Sequence, residues 1–261
     1  MTINLKFFER VGNYLFLIGI FILPTMLFFA AICLLFAGLI GSFIIRQNYF
    51  SDNWNKSFFI CGLLIILSIF THIFNLSSPY GELLDSNLSI IGSFNWLPFF
   101  WLFWAFQPYI DSKKKRKKTA LFLISGTFPV LISGFGQYFF NWTGPLTLWG
   151  GLITWYQRPI MYDHGLTALF SNPNYLGAWL NICWPISCAL IFESSRFFFY
   201  RIISFIFSIF IAAGVFLTDS KNAILALFLT IPMFINKSIN LYWLFPIFLI
   251  CLVFILFIFT S

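Results

Sequence analysis

Long apolar runs alternate with short polar connectors along nearly the whole chain. The first run, residues 14–45, is about half again too long for one crossing, at about 1.5 Å rise per residue and a hydrocarbon core of roughly 30 Å. A single helix would also put Arg46 and Lys56 on the opposite side from Lys6 and Arg10. Two short helices hinged near Pro24–Thr25 keep all four on one side, so the pattern predicts a hairpin there. Further crossings are predicted over 57–76, 95–110, 119–140, 174–192, 202–217, 223–235 and 242–259. The expected fold class is an all-α polytopic membrane protein. It has about nine transmembrane helices in one membrane domain over 1–261, with a cytoplasmic N-terminus and residues 141–173 as an extracytoplasmic loop. Short alternating segments of the kind that build a membrane β-barrel do not occur.

Composition agrees. Apolar residues make up 60% of the chain and charged residues 9%, against about 25% charged in an ordinary soluble domain. Mean hydropathy is +0.90. Lys6 and Arg10 precede the first apolar run as in a signal peptide, but no Ala-x-Ala site follows, so the run reads as an uncleaved anchor. Cys33, Cys61, Cys183, Cys188 and Cys251 lie singly within apolar runs, without a Cys-x-x-Cys or a Cys/His cluster. They read as isolated thiols, and neither a disulfide, a metal site nor a cofactor is expected.

Charge sets the orientation. The predicted inside set is Lys6, Arg10, Arg46, Lys56, the six basic residues of 113–118, Arg196, Arg201 and Lys237. Of 15 Lys+Arg this leaves 15 − 13 = 2 outside, Arg158 and Lys221. Basic residues on the outer face work against the topogenic bias and so invite a functional reading. The run Lys113–Lys118 is topogenic and attracts anionic headgroups at roughly 1 kcal/mol per basic residue. Without a basic groove or aromatic platform, nucleic acid is excluded as a partner. Asn141 and Asn87 stand in glycosylation triplets that chance also produces. Pro129, among small residues, is expected to break its helix, as broken helices do around membrane cavities. His72 is expected to hydrogen-bond a neighbouring helix.

The two outer basic residues lie in polar patches. In "SNPNY", Asn172 suits an N-cap and Pro173 the first helical position, so the helix over 174–192 starts at the outer face. In "TDSKNA", Asp219 or Ser220 is placed to cap the helix over 223–235. Two helix N-termini facing one compartment favour an anion, and Arg158 and Lys221 add full charges. The sum predicts a phosphate- or diphosphate-binding site of Arg158, Lys221, Asn172, Asn174 and Ser220. The plainer alternatives are ordinary caps with snorkelling cations, or an Arg158–Asp163 ion pair.

Arg158, Gly165 and "FSNPNYLGAWL" resemble the Arg…Gly-x-Phe-x-Asn-Pro-Asn signature of the O-antigen ligase and polymerase superfamily. "LTDSKNA" resembles that family's Thr-x-Ser-Arg-x-Ala, in the family's order, and the match spans roughly 119–235. The resemblance implies a metal-independent membrane glycosyltransferase that moves a glycan from a polyprenyl diphosphate carrier to an acceptor hydroxyl. Arg158 matches the family's loop arginine. Lys221 stands where the family has arginine, keeping charge but losing bidentate grip. The family's outer loop with its catalytic histidine follows a span like 242–259, where this sequence ends. The expectation is therefore the N-terminal portion of a longer fold, incomplete as an enzyme or completed by a second polypeptide. His164 is the substitute base on offer; an incidental loop histidine is the other reading. Membrane lipid and the lipid-linked glycan are the expected partners. A small-anion transporter and a non-catalytic membrane subunit remain the competing functions, although no internal repeat supports transport.

Overall fold

The computed structural model describes residues 5–45, 48–74, 86–161, 165–193 and 198–230. The predicted crossing over 242–259, the last five residues of that over 223–235, and His164 and Asp163 lie outside these residues, as does the side chain of His72.

The described chain is mainly helical: α1 Leu5–Ile22, α2 Leu27–Ile44, α3 Asn53–Phe74, α4 Ser86–Ser93, α5 Leu97–Ala105, α6 Gln107–Ile110, α7 Lys113–Phe140, α8 Pro173–Glu193, α9 Phe198–Leu217 and α10 Lys221–Thr230. Among the described residues, six helical stretches are long and apolar enough to cross a membrane: Leu27–Ile44, Asn53–Thr71, Leu88–Ala105, Lys113–Phe140, Pro173–Phe192 and Phe198–Leu217. The protein is a multi-pass membrane protein.

Two compact units divide it, residues 1–19 with 31–118 and residues 20–30 with 119–261. In the first, α1 and α2 run antiparallel, with Gly12 opposite Ile40 and Gly19 opposite Leu34. The chain reverses between them at Thr25, whose amide and hydroxyl both donate to Ile22 O, at 3.0 and 3.1 Å. The Tyr109 hydroxyl donates to Ala37 O at 2.8 Å, and Trp101 Nε1 to Ser42 Oγ at 3.0 Å, which ties α5 and α6 to α2. The predicted crossing over 95–110 is interrupted. Trp96 and Phe106 lead into Pro98 and Pro108, each in the first turn of its helix. A proline lacks the amide that the preceding helix would need to continue, so each marks a restart.

In the second unit, α8 packs along α9 and α10. The buried core draws Val130 and Leu131 from α7, Leu176 and Leu180 from α8, Ile211 and Val215 from α9, and Leu227 from α10. Leu166, Ala168 and Leu169 join it. Part of the connector between α7 and α8 thus packs into the core. Two corrections follow. The helix α7 is continuous through Pro129; a proline withdraws one amide, the one that would reach Ser125 O, and the remaining helical ladder carries on past it. An all-α chain was expected, yet residues 146–155 form a hairpin. Its strands are β1 Leu146–Leu148 and β2 Ile153–Trp155, paired antiparallel with Leu146 opposite Trp155 and Leu148 opposite Ile153. Trp149, Gly150 and Gly151, all at positive φ, make the turn.

Candidate functional site

Asn172 caps α8. Its Oδ1 accepts the Asn174 amide at 2.8 Å and its carbonyl accepts the Tyr175 and Leu176 amides, with Pro173 in the first helical position. Short polar side chains are good caps because they hold amides that no helical carbonyl can reach. At the other patch, α9 ends at Leu217 and the Thr218 hydroxyl turns back to Val215 O at 2.7 Å. Asp219 takes a left-handed conformation, φ 52°, which Asp tolerates better than most residues. Of the two predicted caps, Ser220 is the one used: Ser220 Oγ accepts the Ala223 amide at 3.3 Å and Ser220 O accepts that of Ile224 at 2.9 Å. Thus α10 begins at Lys221, two residues before the predicted start.

The two patches meet. The Ser220 hydroxyl donates to Asn174 Oδ1 at 2.6 Å, joining the cap of α10 to the second residue of α8 across 46 positions of sequence. Beside them the Leu166 amide donates to Leu217 O at 2.8 Å. A Cβ on Gly165 would overlap Thr218 O, so only glycine lets this backbone lie against the end of α9. Gly177 is needed in the same way, since a Cβ there would strike Ala223. The N-termini of α8 and α10 therefore sit side by side, with the start of α2, the end of α7 and the hairpin at the same end of the unit. Trp155 Nε1 donates to Thr25 O at 2.9 Å, and Trp149 meets Phe29 edge-on at 5.3 Å.

Arg158 belongs to this assembly through its backbone. Its amide donates to Thr167 Oγ1 at 3.0 Å, and the Gln157 amide to Ala168 O at 3.0 Å. Gln137 of α7, 1% exposed, holds the two strips together. Its Nε2 donates to Arg158 O and, at 3.2 Å, to Thr167 Oγ1. Its Oε1 accepts the amides of Ala168 at 2.8 Å and Thr167 at 3.3 Å. Gln157 Nε2 adds a bond to Ser133 Oγ at 2.8 Å. Gln157 and Ala168 both have positive φ, 36° and 47°, an uncommon conformation without glycine that persists where neighbouring contacts impose it.

The side chains of Arg158, Lys221, Asn172 and Asn174 are exposed, and Ser220 is buried. The geometry removes one contribution expected from the sequence. The first amides of α8 are consumed by its own cap, so they are not free for an anion. What remains is the positive end of two helix dipoles, about half a charge each, together with Arg158 and Lys221. No family model, curated protein or solved structure matches the chain.

Gln137, Ser133, Thr167 and Asn181 escaped the sequence reading. Asn181 Nδ2 donates to Gly177 O at 3.0 Å and Ala223 O at 2.9 Å, which fixes α10 against α8. For Gln137, Ser133 and Asn181 a signal was available, since each is an isolated polar residue inside a run otherwise long enough to span a bilayer, where such a side chain must find a partner; Thr167, in the connector, offered none.

Proposed function

We propose that the protein acts in glycan transfer of the O-antigen ligase and polymerase type. It holds the diphosphate of a polyprenyl-linked glycan at the outer face of a bacterial cytoplasmic membrane. The observation that carries this reading is the Ser220–Asn174 bond at 2.6 Å, through which the two motif patches form one surface. The positive-inside assignment, with the N-terminus cytoplasmic and nine crossings, puts that surface outside. Arg158 and Lys221 face the diphosphate, and the helix dipoles of α8 and α10 add to their field. In the reaction the acceptor oxygen attacks the anomeric carbon, the bond from that carbon to the diphosphate oxygen breaks, and polyprenyl diphosphate departs. The acceptor proton passes to a base, for which His164 is the candidate within this sequence. Charge building on the leaving oxygens is what preorganised cations stabilise.

A binding assay tests the site apart from turnover. Purified protein in nanodiscs is titrated with polyprenyl diphosphate and, for comparison, with the uncharged polyprenol. The wild type is expected to prefer the diphosphate, and Arg158→Ala to lose ~tenfold in affinity, as removal of one charge-assisted contact of about 1.5 kcal/mol implies. Equal affinity for diphosphate and polyprenol, or an unchanged Arg158→Ala, overturns the reading.

A further inference from the structure

The connector between α7 and α8 carries an exposed apolar surface at its hairpin. No charged residue occurs from 119 to 157. In the hairpin, Leu146 and Leu148 share a face with Ile153 and Trp155, because directly opposed residues and next-but-one neighbours point the same way. Ile153 is buried and Trp155 is fastened to Thr25 O. On the outer strand Leu146 and Leu148 remain 50% and 48% exposed, and the turn adds Trp149 at 67% and Leu152 at 45%. Trp149 rests on Phe29, next to the exposed Leu27 and Phe28 in the first turn of the apolar helix α2. The apolar edge of the hairpin thus continues the exposed apolar surface of the first turn of α2. Thr147 and Thr154 occupy the opposite face.

Depth follows from the backbone. In a two-stranded sheet each strand has one edge without a ladder partner, and hydrocarbon cannot satisfy those groups. Water at headgroup level can, while leucine and tryptophan side chains reach downward from there. We propose that the hairpin Leu146–Trp155 is an interfacial membrane element whose partner is the lipid surface. Its threonine face is turned to water, and Leu146, Leu148, Trp149 and Leu152 lie among the upper acyl chains. Arg158, three residues past Trp155, is then held at the level of the lipid phosphates. This placement is independent of the glycan-transfer reading.

The test uses the full chain in vesicles of phosphatidylethanolamine and phosphatidylglycerol, with nitroxides on Leu146→Cys, Thr147→Cys and Leu148→Cys. The unsubstituted protein's own labelling is subtracted. Positions 146 and 148 are expected to favour oxygen over an aqueous nickel chelate ~tenfold more than position 147 does, the ratio that about 1.4 kcal/mol of partitioning gives. As a second measurement, Trp149→Phe is expected to lower the fraction of tryptophan emission quenched by brominated lipid. Equal nickel access at all three positions would place the hairpin in water. Equal shielding at all three would place it in hydrocarbon or under protein. Either result, or brominated-lipid quenching unchanged by Trp149→Phe, overturns the proposal.

Discussion

Replacing Gln137 with leucine should loosen the Arg158 strip while leaving the helices in place. The exchange nearly conserves volume, so its effect falls on hydrogen bonding. Gln137 Oε1 accepts the amides of Thr167 and Ala168, at 3.3 and 2.8 Å, and both residues are 0% exposed. Without that acceptor, two buried amides are stranded. Each costs about 1–3 kcal/mol, so the pair costs roughly 2–6 kcal/mol. The bonds from Nε2 to Arg158 O and Thr167 Oγ1 are lost as well. Even about 2 kcal/mol raises the open population of the strip ~thirtyfold. Hydrogen–deuterium exchange in nanodiscs reads this directly: peptides covering 156–170 should exchange at least ~thirtyfold faster, and those within α8 and α9 should not. Ser133→Ala is the graded comparison. It removes one bond, to Gln157 Nε2 at 2.8 Å, and about 1 kcal/mol corresponds to ~fivefold. If Gln137→Leu left exchange over 156–170 at its wild-type rate, Gln137 would not be what joins Arg158 to Thr167 and Ala168.

Gly165→Ala should lower thermal stability by roughly 1–3 kcal/mol through overpacking against Thr218 O, measured by light-scattering melts in detergent, since neither backbone can yield cheaply. Ser220→Ala removes both the α10 cap and the link to Asn174, for about 1–2 kcal/mol; Asn174→Ala in that background should add little, and a full additive loss would show that the two side chains are not coupled. In the first unit, a Cβ on Gly12 would run into the Tyr109 hydroxyl, so Gly12→Ala should destabilise. Tyr109→Phe, itself costing about 1 kcal/mol for the lost bond to Ala37 O, should partly rescue it in a double-mutant cycle.

Element positions were legible where a single physical signal dominated. Apolar run length located α2, α3, α8 and α9. The Pro24–Thr25 hinge marked the reversal between α1 and α2, and Asn172–Pro173 marked the start of α8 to within a residue. The basic run was read as a flank, yet α7 begins at Lys113. Lysine and arginine are good helix formers once out of lipid, and hydropathy is blind to that. The hairpin was missed because its Leu-Thr-Leu and Ile-Thr-Trp strands flank Gly150–Gly151, a local turn signal hidden inside an apolar stretch already assigned to a loop. For the candidate site, sequence order brought out Arg158, Asn172, Asn174, Ser220 and Lys221. It could not show that Ser220 rather than Asp219 caps α10, because both residue types cap and only the backbone at Asp219 decides. Nor could it reveal what Gln137 holds, since its partners lie up to 31 positions away and are mostly backbone atoms that carry no residue identity.

The tie between Ser220 and Asn174 also bears on biogenesis. Asn174 leaves the ribosome 46 residues ahead of its partner. Through that interval α8 and α9 are made, while Asn174 Oδ1 still lacks the hydroxyl that donates to it in the folded protein. The first turn of α10 is thus a late-arriving latch, and a nascent chain arrested just before residue 220 would carry its upstream helices with that latch still open.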